Sequence, residues 1–289
     1  MHKLTLTIII LLASALSVKA QQPEAQQPPI RPVTSAFMLE AGSSHIVDTY
    51  LTPLKYSGWS AAFGYERMQA MKFNPEQWVM RLTIGLELDR SRNLARNATT
   101  WGLEVDASWS MMRRWRCDAL LPRLTAGGGP ILNVGGGALY NTRNGNNPVA
   151  AKAAITVGVT GYAAWNTRLG RLPLTLRYQP TLPVTGAFFS PDYGELYYEI
   201  YLGNHNGLAH WGWWGNYFKL DNLVTADLHF GATALRVGYS GSILSTKVND
   251  ITSRVITHRF ILGLSGEWMS LAPGRDRMAE KAKIISALY

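Results

Sequence analysis

The sequence predicts an all-β fold, a transmembrane antiparallel β-barrel of about 12 strands (10–14) with a short amphipathic C-terminal tail. Three observations predict it: an N-terminus built for export, a low charge content with no later apolar run of helix-spanning length, and apolar residues that recur at every second position in segment after segment.

The export signal comes first. Met1-His2-Lys3 is followed by an uncharged, mostly apolar stretch from Leu4 to Val18 and then by Val18-Lys19-Ala20. A positive start, an apolar middle and small residues before a cleavage point are what the export machinery reads, and the run is shorter than the roughly 20 residues a spanning helix needs. Residues 1–20 are therefore expected to be a signal peptide cleaved near Ala20. The residue right after that point is Gln21 and not Cys, so a lipoprotein is not expected. Residues 21–35 are rich in Gln and Pro, have little to bury, and read as a flexible leader. The barrel is placed at residues 36–270 and the tail at 271–289.

Composition narrows the class. The chain is 47% hydrophobic and only 16% charged, whereas a soluble domain carries about a quarter charged residues. With 27 Gly, 10 Trp and 13 Tyr, it suits a protein whose apolar surface meets lipid in short alternating segments. The lack of a later spanning run disfavours a helical inner-membrane protein and leaves periplasm, outer membrane or the outside, and of these the composition favours the outer membrane of a Gram-negative bacterium as the expected location. The lone Cys117 excludes an internal disulfide framework.

Alternation carries the strand assignment. From Trp101 to Trp109 the odd positions are Trp101, Leu103, Val105, Ala107 and Trp109, and the even ones Gly102, Glu104, Asp106 and Ser108. Nine residues is about the length of a tilted strand crossing the hydrocarbon layer, and terminal aromatics suit its interfaces. Trp78 to Asp89 repeats the pattern, as do Trp59 to Glu66, Leu172 to Gln179, Leu196 to Leu202, Val224 to Phe230 and Phe260 to Trp268. Weaker segments at Ala36–Gly42, Arg123–Tyr140, Ala154–Trp165, Leu208–Trp214 and Leu235–Tyr239 bring the set to about twelve. Glycine runs at 127–129 and 135–137 fit the bends and close approaches of a barrel. Longer connections at 44–58, 90–98, 141–147 and 185–194 are expected on one side of the membrane, with 111–121 a long turn on the other.

Taking the polar face of each segment as inward assigns the lumen. It receives the acids Glu40, Glu66, Glu87, Asp89, Glu104, Asp106, Glu199, Asp227 and Glu267 and the bases Arg81, Arg177, Arg236 and Arg259. The interior is thus expected to be acidic although the whole chain is formally +9, with charges paired across a narrow lumen. Trp59, Trp78, Trp101, Trp109, Trp165 and Trp268 are expected to form interface girdles. Beyond the last strand, Met278, Lys281, Ala282, Ile285 and Tyr289 fall at helical spacing, which predicts an amphipathic tail.

The sequence holds no catalytic, metal or cofactor motif that survives inspection. The outer-membrane phospholipase A, a twelve-stranded barrel of similar size, carries a His-x-Ser pair with an Asn on the next strand; here His210-Trp211-Gly212 puts glycine in the nucleophile's place, with Asn216 and Asn222 downstream. His205, His210 and Glu199 lack metal-site spacing. The glycine runs are not followed by Lys-Ser/Thr, so no phosphate loop is expected. Trp211, Trp213 and Trp214 suit a membrane interface. Arg113, Arg114 and Arg116 around Trp115 suit phosphate-rich lipid headgroups, and export argues against nucleic acid. Membrane lipids are therefore the expected partners, and no protein partner is indicated.

Three stretches carry a family resemblance: Asn141 to Ala151 (NTRNGNNPVAA), Thr185 to Ile200 (TGAFFSPDYGELYYEI) and Leu235 to Leu264, with LRVGYSGSI and VNDITSRVITHRFILGL. In these the chain resembles an uncharacterised family of exported bacterial proteins with a domain of unknown function, regarded as outer-membrane barrels. The resemblance implies location and fold and no active site. The expected function is a non-enzymatic barrel, structural or forming a narrow cation-preferring pore. The rivals are a lipid-modifying barrel enzyme and a scaffold for a surface or secretion complex.

Overall fold

The computed structural model describes residues 29–268 and 283–288. The expected signal peptide, part of the leader and most of the tail lie outside the described residues. Eleven strands follow in chain order: β1 Val33–Asp48, β2 Thr52–Ala70, β3 Trp78–Asn93, β4 Thr99–Arg116, β5 Leu124–Asn141, β6 Val149–Leu169, β7 Leu172–Phe189, β8 Ala209–Trp213, β9 Tyr217–Phe230, β10 Thr233–Val248 and β11 Ile251–Trp268. Among the described residues one short helix, α1 (Tyr197–Tyr201), lies between β7 and β8. Among the described residues no helix is long and apolar enough to cross a membrane.

All pairings are antiparallel between neighbours, and β1 pairs with β11 from Val33 opposite Trp268 to Asp48 opposite Ser253. The sheet therefore closes on ten strands, running β1 to β7 and then β9 to β11. Closure gives every strand of the ring a neighbour on both sides over most of its length. β8 stands outside that ring. It pairs with β7 only over Thr185–Phe189, while β9 takes the other half of the same edge, Leu174–Thr181.

The count is ten plus one rather than twelve because two expected strands do not join the ring. Leu208–Trp214 becomes β8. Leu196–Leu202 becomes α1: its apolar residues alternate, but Gly194 and Gly203 bracket it at φ +85° and +109°, and the Glu199 carboxylate accepts the Leu196 N–H at 2.9 Å, as at a helix start.

Inside and outside faces follow parity. Leu39, Phe63, Leu103, Val105, Val159, Phe260 and Leu264 project outward and are roughly half exposed or more, while Ala36, Met38, Glu66, Ser110, Thr160 and Arg236 point inward and are buried. Glycine matters where the wall is tight: a Cβ on Gly129 of β5 would lie 2.0 Å from the Met111 carbonyl oxygen of β4. β5 can thus bend across β4 only because that side chain is missing.

The connections sort into two ends. At one, the loop end, β1–β2 turns through Thr49–Leu51, β10–β11 turns through Asn249 and Asp250 at φ +51° and +58°, and the long β7–β9 connection carries α1 and β8. Two positive-φ residues in a two-residue hairpin match the twist of the strands they join. The stretch 44–58, read as a long loop, is mostly strand. At the other, the termini end, β1 begins and β11 finishes.

Both chain ends depart from expectation. The leader does not reach residue 35, since β1 starts at Val33 and Ile30 pairs with Ile284 through N–H···O bonds of 2.9 Å to Lys283 and from Ile285. Of the tail, Lys283–Leu288 is extended rather than helical, and Ile285, Ala287 and Leu288 are buried. An apolar segment at the open end of a barrel gains more by filling that end than by lying on its own as a helix.

Candidate functional site

The lumen is the site, and it is layered. Near the termini end, Glu66 of β2 gathers three arginines from three other strands. Its Oε1 accepts from Arg81 Nε at 2.5 Å, and its Oε2 accepts from Arg177 Nη2 and Arg236 Nη1, each at 2.6 Å. Arg236 continues to Asp227 with two bonds of 2.7 Å. β2, β3, β7, β9 and β10 are thereby tied across the barrel by residues that are almost wholly buried. The bidentate fork of arginine suits this geometry, and each partner satisfies a charge that would otherwise be costly in so dry a space.

Above the layer opens a chamber of about 250 Å³. Its lining carries five carboxylates, Glu40, Glu87, Glu104, Asp106 and Asp221, and four bases, of which Arg81 is held by Glu66 and Lys152 by Asp48, leaving Arg259 and Lys219 to face the acids, with Asp89 beside Glu87. Arg259 reaches Glu87 at 2.5 Å and Glu40 at 3.2 Å, and Lys219 approaches Glu104 at 3.7 Å. Ser240 and Ser242 donate to Glu40 and Asp221 at 2.5 and 2.6 Å. Asp106 Oδ1 sits 2.3 Å from where a Cβ on Gly85 would be, so glycine on β3 makes room for the acid on β4. The chamber lining thus holds more acids than bases, in contrast to the layer below it, where arginines outnumber acids.

Each end is closed by a different device. At the loop end Tyr50, Leu51, Ile46, Tyr56, Ala98, Leu139, Ala150 and Ile251 form an apolar cluster against Tyr197 of α1. Tyr50 donates its hydroxyl to the Glu195 carbonyl at 2.6 Å, Asn147 donates to the same oxygen at 3.2 Å, and Tyr197 accepts the Ala151 N–H at 2.7 Å. Lys152 and Asp48 pair at 2.6 Å beside them. Burial, helped by the nearby Tyr197 and the Glu195 carboxylate, holds the Tyr50 phenol well above the usual tyrosine range.

At the termini end Ala287 and Leu288 enter a cluster with Met68, Val79, Met112, Tyr162 and Ala164. Arg114 donates to the Ser286 carbonyl at 2.5 Å and the Ala287 carbonyl at 3.3 Å, and Asn166 donates to the Leu288 carbonyl at 3.1 Å. Ser286 bonds Glu267, and Lys283 pairs with Glu76.

The structure places the expected lumen residues as follows. Glu66, Arg81, Arg177, Asp227 and Arg236 meet in the lower layer, and Glu40, Glu87, Asp89, Glu104, Asp106 and Arg259 stand around the chamber. Glu267 lies at the termini end against the plug. Glu199 is a correction: it is exposed on α1 and caps that helix. Arg114, expected among headgroup-facing cations, turns inward to hold the C-terminal segment, while Arg113 stacks on Trp115 and Arg116 pairs with Asp118 at 3.0 Å. His210 bonds the Ser190 carbonyl and the Asn249 side chain. Lys219 and Asp221 were missed because β9 was begun at Val224; both share the parity of the inward Asp227, so extending the alternation backwards finds them.

Trp59 and Trp101 face outward near the loop end, with ring centroids 6.2 Å apart. Trp78, Trp109, Trp165 and Trp268 face outward on the half nearer the termini.

With this architecture in view, comparison with known proteins is informative. The family described as "Protein of unknown function (DUF3316)" matches residues 4–275. The chain belongs to that family. The match takes in the N-terminal half as well as the three stretches that carried the resemblance. No curated protein matches. Among solved structures, the outer membrane protease OmpT from Escherichia coli is 8% identical, covering 84% of this chain and 98% of its own, at a TM-score of 0.39. The transport unit of the autotransporter AIDA-I from Escherichia coli is 10% identical over 90% of this chain and 97% of its own, at 0.38. The COG4313 outer membrane channel from Pseudomonas putida F1 is 9% identical over 85% and 98%, at 0.34. No role passes from these to the present chain.

Proposed function

We propose that this family member is an outer-membrane β-barrel held closed at rest, a structural or narrowly conducting barrel rather than an enzyme, with a cation preference for any current it passes. The observation that carries the reading is the Glu66 hub. One carboxylate holding three arginines from three strands occupies the cross-section of a ten-stranded ring, and small barrels filled by side chains need not conduct. The excess of acids in the chamber above would favour cations, as acidic rings do in pores.

The apolar outward face and the outward tryptophans support insertion, with Trp59 and Trp101 in one interface girdle and Trp78, Trp109, Trp165 and Trp268 towards the other. The loop end then faces outward from the cell and the termini face the periplasm, reached after cleavage near Ala20. Reconstitution into planar bilayers under a salt gradient tests the reading. No current, or small cation-selective steps, is expected. A large steady conductance or an anion-selective reversal potential would overturn it.

A further inference from the structure

On the outer wall at the loop end, just above the apolar band, β2 and β3 and the turn that follows β3 carry an open cleft of about 600 Å³ lined by Lys55, Trp59, Arg90, Arg92 and Arg96. No carboxylate lines it. None of the four cations forms an ion pair among the described residues, although Arg81, Arg177, Arg236 and Arg259 are all paired inside. The register sets the cations side by side: Arg90 lies opposite both Trp59 and Trp101, and Arg92 opposite Ser57. The Arg90 guanidinium sits over the Trp101 ring at 5.4 Å. Arg96, at φ +57°, is held in a turn that the Asn93 side chain closes by accepting from the Asn97 and Ala98 N–H groups at 3.1 and 3.2 Å.

Directly below, Leu88, Leu86 and Ile84 of β3 and Leu103 and Val105 of β4 project outward and are exposed. Cations stacked on an apolar strip, with tryptophans marking the boundary, stand at the depth of lipid phosphates. We infer that this cleft is a binding site for the phosphoryl group of an outer-leaflet lipid, with Lys55, Arg92 and Arg96 contacting phosphate oxygens, Arg90 and Trp59 the adjoining headgroup, and Leu88, Leu86 and Leu103 the acyl chains. Forked guanidinium groups match phosphate oxygens two at a time, so a multiply phosphorylated headgroup suits the site best. The inference rests on the orientation proposed above.

Full-length barrel in detergent is titrated with diphosphoryl lipid A, with its dephosphorylated form and with inorganic phosphate, and bound lipid is counted by native mass spectrometry. The expected result is one tightly held diphosphoryl lipid, weakened at least about tenfold in a Lys55→Gln, Arg90→Gln, Arg92→Gln, Arg96→Gln variant. The Arg168→Gln, Arg171→Gln control, which removes exposed charge at the other end, should bind as the natural protein does. Equal retention of the phosphate-free lipid, unchanged binding by the quadruple variant, equal loss in the control, or displacement of the lipid by inorganic phosphate would each overturn the inference. Gel mobility with and without boiling is read on the same samples. A protein that ran identically in both and stayed soluble without detergent would sink the outer-membrane reading instead.

Discussion

At the level of Glu66 the lumen holds three arginines and two carboxylates in direct contact, whereas at the level of Glu104 it holds an open chamber whose five carboxylates face Arg259 and Lys219, the lining's other two bases, Arg81 and Lys152, being held by Glu66 and Asp48. The strands are the same and so is the alternation; what differs is side-chain length and sign. Arginines on β3, β7 and β10 reach the barrel axis and converge on one acid, so that layer is crosslinked and dry. In the chamber Arg259 meets Glu87 and Glu40 and Lys219 approaches Glu104, but no single acid gathers several cations at the axis, so space remains between these contacts. Under the proposed reading the lower layer sets stability and closure and the upper one sets any selectivity.

The largest effect should come from Glu66→Ala. Removing the shared partner leaves three buried guanidinium groups facing one another, and breaking a buried ion pair costs roughly 3–5 kcal/mol. A lower temperature for loss of the unboiled gel mobility, together with new conductance, is expected; unchanged thermal behaviour would mean the layer does not hold the ring together. The matching change in the chamber, Glu104→Gln with Asp106→Asn, should leave that temperature nearly unmoved.

Truncation before Lys283 comes next. It exposes the Met68, Val79 and Met112 cluster and removes Leu288, for which burial of one large apolar side chain is worth about 1.5–3 kcal/mol. Insertion should survive, because β1 and β11 pair along their whole length without the plug. Conductance should stay low, since the Glu66 layer still fills the lumen. If truncation alone opened a pore, the plug and not the ion-pair layer would be the barrier.

Tyr50→Phe should cost about 1 kcal/mol by removing the bond to the Glu195 carbonyl, seen as faster protease cleavage in the 190–208 connection with little change to the barrel. The same contact gives a pH dependence. Because burial raises the folded-state pKa of Tyr50, its contribution is complete below the ordinary tyrosine pKa and is lost as pH rises through the higher folded value. Cleavage should thus quicken at strongly alkaline pH in the natural protein and less so in Tyr50→Phe.

The smallest effect on stability, and the most specific, belongs to the double neutralisation of Glu104 and Asp106. Any cation preference should fall, read as a reversal potential moving towards zero. A preference that stayed the same would place the selectivity elsewhere, at Glu40 or Asp221.

Alternation by itself determined which face of each ring strand turns outward and which meets the lumen, because side chains on a strand point to opposite faces by local geometry alone. Trp101 to Trp109 could be read from nine letters, and so could the inward assignment of Glu66, Arg236 and Asp227. Only the tertiary structure decided how many strands close the ring, since closure depends on which edges find each other: β1 takes β11, and β7 divides its edge between β8 and β9. The same holds for the segments whose local pattern was satisfied in two ways. Leu196 to Leu202 alternates like a strand but, bracketed by Gly194 and Gly203 and capped by Glu199, forms a helix whose Tyr197 packs on the loop-end cluster. Lys283 to Leu288 was read as one end of an amphipathic helix but finds an apolar cavity at the end of the barrel and fills it. Parity tells where a side chain points; reach, register and the space left by other strands tell what it meets there.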